Sequence, residues 1–247
     1  MNDQASQRVA LVTGGSRGIG AAIAQRLAKD GFAVVINYAS NAAEAGALAE
    51  GVRRAGGRAV AVRADVSKPD EVRAMFDAVQ AEFGRIDVLV NSAGVLDVKP
   101  LGETSDDLYD RTFDINTRGT FNTMREAAAR LADGGSIVNV SSTTVALNLP
   151  GYSVYIASKA AVESLTQVFA KELRGRRITV NAVAPGPVAT ELFFKGKSPE
   201  LIEHYAKMPP LERLGQPDDI AGIVSFLAGP DSGWVNGQIV RANGGVA

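Results

Sequence analysis

Short β-branched runs alternate with longer alanine-rich stretches along the whole chain, and that alternation limits its possible folds more than any other feature. A short, continuously apolar run reads as a strand buried on both faces. VALVT (9–13), AVVINY (33–38), RAVAVRA (58–64), DVLVN (87–91), SIVNVS (136–141), ITVNAVA (178–184) and QIVRA (238–242) are such runs. Between them the pattern predicts helices over 18–29, 42–54, 69–83, 106–131 and 152–173, and a last helix opened by Pro217-Asp218-Asp219. Pro69 starts one of these helices and Gly84 stops it, the usual asymmetry of helix ends. Strand–helix alternation with apolar strands predicts an α/β fold, a doubly wound parallel sheet of about seven strands with helices on both faces. No Pro/Gly/Ser-rich linker divides the chain, so residues 1–247 read as one domain. The exception to the pattern is 188–216, with Phe193-Phe194, Lys195-Gly196-Lys197 and Pro209-Pro210 but weak periodicity. Such a stretch is expected to be an irregular lid or loop over a substrate.

Composition narrows the function classes. Hydrophobic residues make up 46% and charged residues 21% of 247, enough for a packed core. Lys+Arg 26 against Asp+Glu 27 leaves a net charge of −1, without the basic excess expected of a nucleic-acid binder. Cysteine is absent, which excludes disulfides, thiolate metal sites and a cysteine nucleophile. No His/Asp/Glu cluster has metal-ligand spacing, so no metal is expected. No apolar run approaches ~18 residues, so no membrane span is expected. MNDQASQR at the start carries an acid and no apolar stretch, so no secretory leader is expected and the cytoplasm is the expected location.

Thr13-Gly14-Gly15-Ser16-Arg17-Gly18-Ile19-Gly20 lies between the first strand and the first helix. Glycines there let the backbone turn tightly and approach a pyrophosphate, which then meets the helix N-terminus. In dinucleotide sites an acid about 20 residues further on binds the adenosine ribose and favours NAD. That position is Asn37 here, followed by Tyr38-Ala39-Ser40-Asn41. A neutral amide does not repel a 2′-phosphate, and Arg17 supplies a positive charge, so NADP is the expected cofactor. Tyr155 and Lys159 stand one helical turn apart at the start of a predicted helix. A nearby ammonium favours the phenolate and brings a phenol toward a useful range. Ser142, at a neighbouring strand end, is placed to hold a carbonyl in line. Taken alone, each of these features also reads as ordinary turn or surface chemistry.

Their order along one chain is more specific. Thr13 to Gly20, Asn91-Ser92-Ala93-Gly94, Asn116, Ser142, Tyr155 to Lys159, Pro185-Gly186, RLGQPDDIA (213–221) and GQIVRANGG (237–245) together resemble the short-chain dehydrogenase/reductase family in its single-domain form. Within that family the chain resembles 3-oxoacyl-carrier-protein reductases and, through INTRG (115–119), polyketide and naphthol reductases. Ser92 stands where a second Asn is frequent, and Asn243 where Asp is usual; neither touches the catalytic set.

The resemblance implies a Rossmann-type sheet and roles residue by residue. Tyr155 is the implied general acid. Lys159 lowers its pKa and holds the nicotinamide ribose. Ser142 orients the carbonyl, and Asn116 keeps a kinked helix and a water in place. Gly14, Ser16, Arg17, Gly18, Ile19 and Gly20 are implied at the pyrophosphate, with Asn37, Tyr38, Ala39 and Ser40 at the ribose. Asp65 and Val66 are implied at adenine, and Asn91, Ala93 and Gly94 at the wall beside the adenosine ribose. Pro185, Gly186, Val188 and Thr190 are implied at the nicotinamide carboxamide. The expected function is an NADPH-dependent carbonyl reductase, also able to run as a secondary alcohol dehydrogenase on a small-molecule substrate. A 3-oxoacyl-carrier-protein reductase is one alternative, and a non-catalytic dinucleotide sensor is another of a different class. Val95, Leu96, Thr143, Thr144, Tyr152 and the stretch 192–194 are expected to wall the pocket, with Phe193 and Phe194 either lining it or anchoring the lid. Arg130 and Arg176 are candidates for a basic rim that would meet an acidic carrier. His204, the only histidine, reads as a surface residue, and Arg53-Arg54 and Arg58 as a solvated helix end. The resemblance also implies a homotetramer, with the helices at 106–131 and 152–173 pairing through faces that include Ala127, Ala128, Ala129, Ala157, Ala160 and Ala161.

Overall fold

The computed structural model describes residues 7–247, so the expectation of no leader rests largely on residues outside it. Strands β1 (Val9–Thr13), β2 (Ala33–Tyr38), β3 (Ala59–Arg63), β4 (Val88–Asn91), β5 (Ser136–Val140), β6 (Thr179–Pro185) and β7 (Ile239–Ala242) join in one parallel sheet. Their order is β3-β2-β1-β4-β5-β6-β7. Successive residues of a strand face opposite sides of a sheet, and the apolar runs serve both. Val9 and Leu11 pack into one layer while Ala10 and Val12 pack into the other, and β2 divides in the same way between Ala33, Val35 and Val34, Ile36. One layer is closed by α1 (Gly18–Lys29), α2 (Ala42–Arg54) and α10 (Pro217–Ala228), through Ile23, Ala45 and Val224 among others. The opposite layer is closed by α3 (Pro69–Phe83), α5 (Gly119–Arg130) and α7 (Ser153–Glu172), through Phe76, Met124 and Ala170.

The sequence's helix punctuation works as expected. In α3, Pro69 sits in the first turn with Asp70 and Glu71, and Gly84 ends the helix at φ +76°. Because the strand order reverses between β1 and β4, the connections leave these neighbours in opposite directions. A crevice opens there at the carboxyl ends of the strands, where doubly wound sheets bind ligands.

Two expectations need correction. The helix expected over 106–131 is interrupted: α4 (Asp106–Phe113) and α5 are joined by a π-helical turn, Asp114–Arg118. Its polar residues bond outside the helix, Asn116 to Val95 and Thr117 to the carbonyl of Ser158. The stretch 188–216 is only partly irregular. It holds α8 (Glu191–Phe194) and α9 (Pro199–Lys207), each begun by a hydroxyl that accepts a backbone N–H, Thr190 from Phe193 at 3.2 Å and Ser198 from Leu201 at 3.3 Å. No residue of α9 is fully buried; its apolar side, with Ile202, Tyr205 and Ala206, is half-buried. A four-residue helix, α6 (Thr144–Leu147), also follows β5.

At the sheet's other end, the buried carboxylate of Asp87 accepts the Val9 N–H at 2.8 Å and pairs with Arg85, bracing β1 against the start of β4. Asp87→Ala leaves that N–H unpaired and is expected to cost about 1–3 kcal/mol of stability. Thermal unfolding checks this, and a melting temperature equal to the wild type's would show that Asp87 braces nothing.

Candidate active site

The glycine turn is built by contact. Gly14 has φ +59°, and a Cβ on it would stand 2.7 Å from the Cα of Ala93. At Gly20 a Cβ would lie 2.2 Å from the carbonyl oxygen of Gly14. Neither position admits a side chain, so the turn closes tightly and leads straight into α1. That helix begins at Arg17 with no side-chain cap and no acid in its first turn. Its first N–H groups therefore face the crevice, a ready site for an anion. The arrangement fits a dinucleotide pyrophosphate. Arg17 stands beside it, its guanidinium 3.6 Å from the carboxylate of Glu191 and both side chains mostly exposed.

Asn37 lines the crevice, and its side chain is engaged by the backbone. It is 1% exposed, and its amide donates to the carbonyl of Ala64 at 3.0 Å and of Val62 at 3.3 Å while its oxygen accepts the Gly14 N–H at 3.3 Å. It fastens the glycine turn to the end of β3. Tyr38, Ala39 and Ser40 follow it along the crevice wall with Asp65 and Val66.

The crevice and the space reaching Ser142, Tyr155 and Lys159 form one cavity of about 460 Å³. Ser142 accepts from the hydroxyl of Thr144 at 2.9 Å and from its backbone N–H at 3.2 Å. With its lone pairs so used, Ser142 has its own proton free for Tyr155 or a carbonyl oxygen. Burial pushes the Tyr155 phenol above its ordinary pKa, while its hydrogen bond with Ser142 pulls the other way. Burial also pushes Lys159 down to about 8. The Lys159 ammonium donates to the carbonyl of Val140 at 2.8 Å and lies 5.9 Å from the Tyr155 ring centre. Desolvation dominates both groups, and Tyr155 is held as a neutral acid.

Asn116 lies behind this surface, fully buried in the π turn. Its oxygen accepts the Val95 N–H at 2.8 Å, and its amide donates to the Val95 carbonyl and the Ser158 hydroxyl, both at 3.0 Å. Ser158 in turn donates to the carbonyl of Tyr155 at 2.7 Å. Asn116 thus ties the loop after β4 to the helix bearing the tyrosine.

The structure brings Gly14, Ser16, Arg17, Gly18, Ile19, Gly20, Ala93, Gly94, Pro185, Gly186, Val188 and Thr190 onto the same wall. Asn91 is absent from it, because its side chain is buried between Asn139 at 2.8 Å and Thr123 at 2.7 Å. Leu192 and Phe193 line the cavity; Phe194 is 40% exposed and packs edge to face on Phe193. The sequence reading misses Tyr205 and Met208, which reach the cavity from α9 and the residue after it; the Ser198-Pro199 start and the spacing of Leu201, Ile202, Tyr205 and Met208 were the signal that could have found them. Arg130 and Arg176 do not rim the cavity. Arg130 pairs with Asp77 and Glu126, and Arg176 bonds Asp133 and the carbonyls of Ala128 and Leu131, all near the entrance to β5 at the sheet's opposite end. Of the arginines beyond the glycine turn it is Arg111 that lines the cavity; its guanidinium lies 3.7 Å from Asp97, which also stands 3.8 Å from Lys195. His204 is exposed, as expected.

The sequence profile of the family described as Enoyl-(Acyl carrier protein) reductase matches residues 14–247. A short-chain type dehydrogenase/reductase of Picea abies is 48% identical, over 96% of this chain and 92% of its own. An NADPH-dependent aldehyde reductase-like chloroplastic protein of Arabidopsis thaliana is 49% identical, over 96% and 93%. Among solved structures, a blue fluorescent protein from a metagenomic library in complex with NADPH superposes with a TM-score of 0.92 at 40% identity, covering 97% of this chain and 98% of that one.

The position of Asn37 makes a test. Asn37→Asp turns a carboxylate toward the carbonyls of Ala64 and Val62, so it is expected to cost about 1–3 kcal/mol of stability and to weaken NADPH and NADH binding alike. Arg17→Ala is expected to weaken NADPH selectively, less so as salt rises. Thermal unfolding and fluorescence titration check both, and a clean exchange of preference in Asn37→Asp would return that residue to the ribose.

Proposed function

Because the chain belongs to the short-chain dehydrogenase/reductase family, an oxidoreductase family acting on carbonyl and alcohol groups, we propose that it is an NADPH-dependent reductase of ketones and aldehydes. One observation carries this reading: Tyr155, whose phenol desolvation pushes up and keeps protonated, lines the same cavity as Ser142 and Lys159, and that cavity is continuous with a dinucleotide cradle. The NADPH-named relative and the NADPH-bound structural neighbour support the cofactor. So do Arg17 beside the cradle and the lack of a carboxylate at the end of β2.

When bound, the dinucleotide supplies the hydride to the carbonyl carbon. Ser142 donates a hydrogen bond to the carbonyl oxygen and fixes its direction. Tyr155 gives its proton to the same oxygen as charge develops there. Lys159, buried one turn along α7, stabilises the tyrosinate left behind and holds the ribose hydroxyls. Asn116 holds the backbone on which these groups stand. A dinucleotide sensor has no use for this set, which favours the enzyme.

The homotetramer expected from the resemblance is also part of the proposal. Ala127 packs on the sheet, but Phe121 on α5, Val168 on α7 and Phe226 on α10 stay exposed, and Trp234 is 99% exposed. Apolar groups left in water are a common mark of an interface, and sedimentation distinguishes a tetramer from a single chain.

Tyr155→Phe keeps the ring and removes the proton, so NADPH still binds while turnover falls at least ~10²-fold. Turnover within a few-fold of wild type would sink the assignment of Tyr155 as the acid. The pH dependence follows from the two burials. Tyr155, pushed up, stays protonated through the neutral range, while Lys159 loses its charge as pH rises through about 8. Carbonyl reduction is therefore expected to be level in kcat/KM below that pH and to fall above it. A rate that climbs through the same interval would contradict the assignment of the ammonium.

A further inference from the structure

The end of the cavity beyond the tyrosine is walled largely by rings. Phe193 on α8 and Tyr205 on α9 meet edge to face with centroids 5.6 Å apart. Tyr152, just before α7, stands in the same relation to Tyr155 at 6.4 Å. Between these pairs the hydroxyls of Tyr152 and Tyr205 lie 3.3 Å apart. Each phenol can donate once and accept more than once. When one donates to the other, a single O–H proton and several lone pairs remain. Among the described residues neither hydroxyl has a further hydrogen-bond partner, and both tyrosines line the cavity. Leu147, Leu149 and Met208 nearby offer them nothing polar. Burial and the neighbouring Tyr205 push the Tyr152 phenol well above its ordinary pKa. Tyr152 thus stays neutral across the working range, and it does not compete with Tyr155 as a proton source.

We propose that the Tyr152–Tyr205 hydroxyl pair is a second polar contact for the substrate, so that the site selects ketones and aldehydes carrying a second oxygen across a flat apolar body. The inference rests on the carbonyl-reductase reading and narrows its substrate class. The reacting carbonyl meets Ser142 and Tyr155. The flat body lies against the ring of Phe193. A distal hydroxyl or keto oxygen takes up the spare proton or lone pair of the tyrosine pair. Two polar points with rings between them fix both the position and the facing of a planar molecule. An alkyl group in place of the distal oxygen fills the same space and leaves that hydrogen-bonding capacity unused. The pair also links the helix bearing the catalytic tyrosine to α9, so an oxygen bound there holds the lid over its own substrate.

The test compares para-hydroxyacetophenone with para-methylacetophenone, which match in size and differ in the distal oxygen. The readout is the ratio of kcat/KM values for the two ketones with NADPH, together with the ratio of their dissociation constants by calorimetry in the presence of NADP. Relative to wild type, both ratios are expected to fall at least about fivefold in Tyr205→Phe and in Tyr152→Phe, on the scale of one neutral hydrogen bond. The double variant is expected to fall no further than either single one, because the two hydroxyls act as a unit. Equal losses on both ketones, or ratios unchanged in both single variants, would reduce the pair to a clasp between lid and helix and overturn the proposal. Failure of the parent reading looks different: the wild type would then consume no NADPH with either ketone or with any aldehyde tried. Either single variant suffices if the other does not fold.

Discussion

The cleft side of the molecule depends on how closely the exit of β1 passes the exit of β4. Thr13, at the end of β1, holds the two together: its hydroxyl accepts the N–H groups of Ser92 at 3.1 Å and Ala93 at 3.3 Å. Gly14 follows at once, and its missing side chain is what lets Ala93 stand against it. The phosphate cradle and the wall opposite are therefore one packed unit. Moving either displaces the start of α1, whose open N–H groups are the anion site.

A second constraint sits one layer deeper. Asn91, Asn139, Thr123 and Thr166 form a chain of hydrogen bonds between the sheet and the helices α5 and α7, at 2.7 and 2.8 Å throughout. Among the described residues no buried side-chain polar atom lacks a partner. Buried polar groups of this kind are costly when unmet and specific when met. They fix the rotation of α7 about its axis, and with it the direction in which Tyr155 and Lys159 point.

Much of this was legible in the sequence because its cause is local. The strands are short apolar runs, and the bounds of α1, α2 and α3 follow from glycine, proline and alanine placement. The glycine turn and the pairing of Tyr155 with Lys159 depend on spacing alone. What stayed hidden depends on partners distant in the chain. Whether Asn37 faces solvent or the carbonyls of Val62 and Ala64 is decided by the path of β3. The π turn arises because Asn116 finds Val95 and Ser158, which nothing within the helix announces. Arg130 and Arg176 carry charge suited to a rim, but the end of α5 and the turn before β6 that hold them lie at the opposite end of the sheet from the cavity. Helix α9 was missed because it is short and lies between irregular segments, with its apolar side half-buried instead of set into the core.

The strand order also bears on how the chain reaches its fold. β1 is synthesised early yet lies inside the sheet, and the brace between Val9 and Asp87 joins residues 78 apart. β2 can close one side of β1 promptly, whereas the other side stays open until β4 arrives. An apolar strand with an unpaired edge recruits other chains as readily as its own. Parallel pairing over such separations is slow, and the interval before β4 docks is the step most exposed to aggregation. Yield on expression is thus expected to depend on crowding and temperature through this one delayed pairing, even where the finished protein is stable.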